Sequence, residues 1–213
     1  GALSENADYL SDVVLVDRED VCVYEPRWTL DGDLIHVDDS TGWANFYRTE
    51  GFEKREGEPS DAWETRLRTR ALHPSDKAFS QPHWQLGLHT YDNLDNDHLV
   101  CTWSDNGQRH LGTMELDNGL LERWPLDWTP KGNIAADHGR VVFLGDSATE
   151  ADTIVQVIKR EPHVVRPSSE IDIQPGYISA AQPVEWQNRD GVEGHGFLYL
   201  PGNKDYAGGG GGG

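Results

Sequence analysis

Residues 25–48, EPRWTLDGDLIHVDDSTGWANFYR, alternate apolar side chains with turn residues in a way that only antiparallel β-structure accommodates well. Trp28 leads into Asp31-Gly32, and Leu34, Ile35, His36 and Val37 form the next run. Asp38, Asp39, Ser40, Thr41 and Gly42 turn the chain again before Trp43, Phe46 and Tyr47. Asp-Gly between apolar runs is a strong hairpin signal, because glycine takes the positive φ of a two-residue turn while the flanking side chains alternate between faces. The stretch predicts strand, turn, strand, turn, strand, which is one blade of a β-propeller.

The pattern recurs. A second unit opens at residues 79–84 (FSQPHW) and continues through LHTY (88–91), LVCTW (99–103), HLGTMEL (110–116) and LLERW (120–124). Asp95-Asn96-Asp97, Asp105-Asn106-Gly107 and Asp117-Asn118-Gly119 separate these runs, each with turn chemistry. A third unit spans 134–165, with strands predicted at 140–144, 153–158 and 163–165. Units of roughly 50 residues fit a propeller array better than a sandwich. Eight Trp, seven Tyr and five Phe against a single Met favour sheets over helices. Residues 12–16 (DVVLV) read as a further strand, and the charged segment 53–70 as loop or a solvated outer strand.

The formal charge of −19 argues against a nucleic-acid or anionic-membrane partner, since either requires clustered Lys and Arg. No apolar run reaches the roughly 20 residues of a membrane span, and no signal-peptide core is present in the sequence. Cys22 and Cys101 fall in different predicted sheets without a C-x-x-C pattern, so free thiols in a reducing cytoplasm are expected.

W-x-x-D-G-x-L at residues 28–34, followed by the Gly42-Trp43 to Tyr47-Arg48 segment, resembles the propeller of the prolyl oligopeptidase family of serine peptidases. The similarity is to its acylaminoacyl-peptidase or dipeptidyl-aminopeptidase branch. The second unit is similar to that branch's next blade, through F-x-x-P-x-W at 79–84 and G-x-x-x-L from Gly112. After the third unit, residues 177–186 (YISAAQPVEW), Asp190-Gly191 and residues 194–201 (GHGFLYLP) resemble the passage from propeller to α/β-hydrolase domain. The resemblance implies a serine peptidase acting on short peptides or acylated N-terminal residues, with the propeller filtering substrates by size. It also implies a structural role for His195 in the strand leading into the hydrolase.

The chemistry itself is expected elsewhere. The family's G-x-S-x-G nucleophile elbow, Asp and His belong downstream of Tyr206, where this sequence runs through Ala207 into glycines. Ser147, in Gly145-Asp146-Ser147-Ala148-Thr149, imitates an elbow but has Thr149 in place of the second glycine. The β-branched run 153–158 follows it, where an elbow needs a helix. Asp92-Asn93-Leu94-Asp95-Asn96-Asp97 offers oxygens for calcium without the glycine and terminal Glu of a calcium loop, so a turn is expected. Nine His are scattered with no zinc-binding spacing. The many Trp residues suit packing between sheets, with stacking on sugars or aromatic ligands as the other use of such side chains.

The expectation is therefore all-β: a partial β-propeller of about three antiparallel blades over 1–175, then a connection and first hydrolase strands over 176–206. The glycine tail 207–213 is read as artificial or unassigned, and the hydrolase domain as absent from this chain. No catalytic, cofactor-binding or metal-binding residue is assigned, and no cofactor is expected. The partners implied are short peptide substrates of the intact parent and its C-terminal hydrolase domain, with self-association through open propeller edges. The competing reading is a stand-alone propeller used as a binding or scaffold module, against which the passage 177–201 argues. A propeller glycosidase needs two facing carboxylates, and 37 acidic residues nominate no pair.

Overall fold

The computed structural model describes residues 20–206 apart from 54–55, 58–65, 83, 85–86, 149 and 171–172, together with the backbone of 2–3 and 10–11. Ala2–Leu3 (β1) and Leu10–Ser11 (β2) pair antiparallel. The strand expected at 12–16, much of the charged segment 53–70 and the glycine tail 207–213 lie outside the described residues.

Three four-stranded antiparallel meanders follow in chain order. The first contains Val23–Trp28 (β3), Leu34–Asp38 (β4), Asn45–Glu50 (β5) and Arg68–Ala71 (β6). Tyr91–Asn93 (β7), His98–Asp105 (β8), Gln108–Glu115 (β9) and Leu121–Arg123 (β10) make the second. The third consists of Thr129–Asp137 (β11), Arg140–Asp146 (β12), Thr153–Ile158 (β13) and Glu161–Pro167 (β14). After a 3-10 turn at Pro175–Tyr177, Ala181–Gln187 (β15) and Glu193–Tyr199 (β16) form a separate two-stranded sheet. The described residues contain no α-helix. The architecture is thus a partial propeller of three blades, as the turn spacing predicts.

Turn chemistry fixes the registers. Asn106 (φ 48°) and Gly107 (φ 75°) join Asp105 to Gln108 across a two-residue turn, and His138-Gly139 does the same between Asp137 and Arg140. Lys159 and Arg160 make the equivalent turn without a glycine, at φ 52° and 68°. The Asp31-Gly32 turn differs from the two-residue form expected of it. Trp28 pairs with Leu34, and the loop between them is closed by Thr29 N–H donating to the Asp33 carbonyl at 2.7 Å. Gly32, at φ 92°, donates in turn to the Thr29 carbonyl. The third blade also begins earlier than the sequence suggests, because Pro130 and Gly132 sit inside β11 at register shifts rather than ending it.

Burial shows how the blades stack. Ile35, Val37 and Phe46 of the first blade pack with Leu99, Cys101, Trp103 and Met114 of the second. Val100 and Leu111 emerge on the opposite face of the second blade and pack with Val141, Phe143, Val155 and Val157 of the third. The middle blade is therefore apolar on both faces, and β8 reads as a nearly continuous buried run. Beyond it burial fades: β14 is exposed throughout, and Ile154, Val164 and Val165 face outward.

Candidate functional site

The first strands of the three blades, β3, β7 and β11, lie side by side and are joined by side chains rather than by a ladder. Glu25 accepts hydrogen bonds from Thr90 N–H at 2.7 Å and from the Thr90 hydroxyl at 3.0 Å. Tyr91 Oη donates to the Glu25 and Ile35 carbonyls at 2.5 and 3.0 Å. Burial, followed by the nearby Glu25 carboxylate, pushes the Tyr91 phenol well above its ordinary value. Asp92 bridges two blades, with one oxygen 3.2 Å from Arg27 Nη1 and the other accepting Ala136 N–H at 2.9 Å. These contacts tie neighbouring blades to one another.

At one end of the blades, the β8–β9 turn, the 124–128 linker and the loop after β12 face the β15–β16 hairpin across a cleft of about 820 Å³. Asn188 caps the hairpin turn by accepting Asp190 N–H and Val192 N–H on its side-chain oxygen, while Gly191 takes φ 76°. Pro183, Phe197 and Tyr199 face the cleft from the hairpin. Lys131 reaches across to Asp146 at 3.0 Å and also pairs with Asp152. His110, 5.6 Å from Trp103 between ring centroids, is held below its usual range by burial and then by Arg123.

Ser147 sits in the β12–β13 loop, where its hydroxyl accepts Glu150 N–H at 3.0 Å and its own N–H donates to the Glu150 carbonyl. Strand β13 follows, so the helix dipole that an elbow uses is missing from this place. Of the calcium-like segment, Asp92 and Asn93 belong to β7 and only residues 94–97 turn the chain: Asp95 Oδ1 accepts Asp97 N–H and His98 N–H, while Asp92 is engaged with Arg27 and Ala136. Both cysteines are free, Cys22 exposed and Cys101 buried, and burial pushes the Cys101 thiol far up.

Two groupings were missed by sequence reading. His195 pairs across the hairpin with Glu185, and its Nδ1 lies 3.7 Å from Glu185 Oε1. With Glu193 these form an exposed trio whose ligand atoms lie within 4.8 Å of one another, able to meet a divalent cation. The Asp190-Gly191 turn, which fixes the register, was the available signal. In the first blade, Ser40 donates to Asp38 at 2.6 Å, Asp38 Oδ2 lies 3.4 Å from His36 Nε2, and His36 stacks on Tyr47. The i, i+2, i+4 spacing of His36, Asp38 and Ser40 was legible, though not that all meet inside one blade. No helix of the described residues is long and apolar enough to cross a membrane.

No protein-family model matches the sequence, and no curated protein does. Solved structures do share the fold. A puromycin hydrolase aligns with TM-score 0.73 at 22% identity, covering 90% of this chain and 27% of that one. A Mycobacterium tuberculosis puromycin-hydrolyzing peptidase aligns at 0.70 and 22% identity, over 87% of this chain and 26% of its own. Prolyl oligopeptidase B from Galerina marginata aligns at 0.59 and 10% identity, over 85% and 24%. The chain spans about a quarter of the length of these structures. The likeness read from the Gly42 to Arg48 motif thus holds at the level of the fold.

Proposed function

We propose that this chain is the propeller side of a prolyl oligopeptidase family serine peptidase and that its blades restrict which peptides reach the catalytic domain. The observation that carries the reading is the order of elements: three blades and then a separate hairpin facing them across a cleft. A self-contained propeller has no use for such a hairpin. The shared fold with two puromycin-cleaving enzymes and a prolyl oligopeptidase supports it. In this reading the bond cleaved is an aminoacyl or acylaminoacyl amide, as in the acylaminoacyl-peptidase and dipeptidyl-aminopeptidase branch, and the nucleophile lies outside residues 1–213. Fold alone does not fix chemistry, so the test is chemical.

The gene product extended through a downstream G-x-S-x-G should hydrolyse aminoacyl- or acylaminoacyl-anilides, and puromycin serves as a further substrate. A fluorophosphonate should inactivate it, because the reagent captures an activated serine. The 213-residue chain should do neither. Labelling of that chain at Ser147 would overturn the assignment.

A further inference from the structure

We propose that Arg109, in the cleft between the second and third blades and the β15–β16 hairpin, receives the C-terminal carboxylate of a short peptide. Arg109 lies at the start of β9, opposite Ser104 across the β8–β9 ladder, and lines the cleft. The partly buried guanidiniums of Arg27 and Arg48 each meet a carboxylate, Asp92 and Asp33 respectively. Arg109 meets none among the described residues, although the chain holds 37 acidic side chains against 18 basic ones. Burial alone holds its pKa below the ordinary value. A cation withdrawn from water without a counter-charge costs free energy that an incoming anion recovers.

The surroundings suit that anion. Arg109, Arg123 and Lys131 line the cleft against Asp127 and Asp146, three cations to two carboxylates in a protein of charge −19. Lys131 already pairs with Asp146, which leaves Arg109 and Arg123 against Asp127 alone, an excess of one positive charge. Trp128, Phe197 and Tyr199 supply apolar wall for a terminal side chain. A guanidinium fork matches a carboxylate in two parallel hydrogen bonds, so a free peptide end is read more strongly than an amide. The choice of a peptide as source of the carboxylate rests on the peptidase reading above. Such a receptor would measure peptide length from the C-terminal end and so set which chains enter.

The test is calorimetric titration of the 213-residue chain with Ala-Ala-Phe and with its C-terminal amide, with tryptophan fluorescence as a second readout because Trp124 and Trp128 line the cleft. The free acid should bind about tenfold tighter than the amide, or more. Arg109→Gln should erase that difference, while Arg109→Lys should retain some of it. Far-ultraviolet circular dichroism shows whether Arg109→Gln is folded. If it is not, the acid-to-amide comparison on the unaltered chain and on Arg109→Lys decides. Equal binding of acid and amide, no binding of either, or unchanged acid binding by folded Arg109→Gln would overturn the proposal. Displacement by inorganic phosphate at the same concentration as the peptide would also overturn it, since the site would then read any anion. Fluorophosphonate labelling of the extended gene product is a separate readout, so failure of the carboxylate site and failure of the peptidase reading are distinguishable.

Discussion

Glu25, held at φ 47° inside β3, grips the buried Thr90 through both of its carboxylate oxygens, at 2.7 and 3.0 Å. A non-glycine residue in the left-handed region costs conformational energy, and the strain persists because the second blade holds the side chain in place. The bond joins residues 65 positions apart and belongs to the blade interface rather than to either sheet.

Glu25→Ala removes the acceptor and leaves the Thr90 N–H and hydroxyl buried without it. The expected loss is about 2–3 kcal/mol, because donors to a charged group are stranded. Urea unfolding followed by tryptophan fluorescence measures it. A midpoint equal to that of the unaltered chain would show that the interface does not depend on this grip.

Two glycines should separate strain from collision. Gly119 takes φ 69°, and a Cβ there would lie 1.7 Å from the Leu72 carbonyl oxygen of the first blade. Gly32 takes φ 92° in open space. Gly32→Ala should cost only the left-handed penalty, about 1–2 kcal/mol. Gly119→Ala must also push the first and second blades away from each other and should cost about 3 kcal/mol or more. Thermal melts of the two variants, compared side by side, make the check.

Thiol chemistry should divide the cysteines. In the native chain a disulfide reagent should modify the exposed Cys22 quickly and reach Cys101 only on unfolding. The pH dependence has a definite sign. Burial raises the folded Cys101 thiol above its ordinary value near 9, so the unfolded state loses its proton first. This stabilisation is complete below about pH 9 and declines as pH rises toward the folded thiol's own pKa, at up to about 1.4 kcal/mol per pH unit. Cys101→Val should flatten the alkaline arm of the stability profile relative to the unaltered chain. Equal alkaline slopes would contradict the assignment.

The exposed β14 and the apolar residues Ile154, Val164 and Val165 on the outer side of the third blade should make the chain self-associate. Charge opposes the association at −19, so it should strengthen as salt rises from about 0.05 to about 0.5 M and the screening length shortens. Sedimentation velocity at both salts tests this. Val164→Lys should weaken the association, and a monomer at both salts would show that the edge is not adhesive.

The sequence alone determined most of the strands and most of their turns, because both are local, although the run expected at 88–91 forms its strand at Tyr91–Asn93. Asn106-Gly107 takes two positive φ angles readily, and Ile35 and Val37 mark one buried face of β4, while the burial of His36 and Asp38 on its other face is set by tertiary structure. The sequence did not reveal the start of β11, since Pro130 and Gly132 look like breakers until the neighbouring β12 pairs around them at register shifts. Nor did it reveal the turn at Lys159-Arg160, where the flanking ladder imposes positive φ on residues that do not seek it. The candidate site was less legible still. Asp92 reads as one more acid in a turn, yet it joins Arg27 of one blade to Ala136 of another. The isolation of Arg109 depends on where the carboxylates are not, and that is decided only when three blades and a hairpin are placed around it. Pairing within a meander joins strands adjacent in sequence, mostly through short turns that leave their mark in composition. Contacts between blades span 65 residues in the case of Glu25 and Thr90, and no local pattern records them.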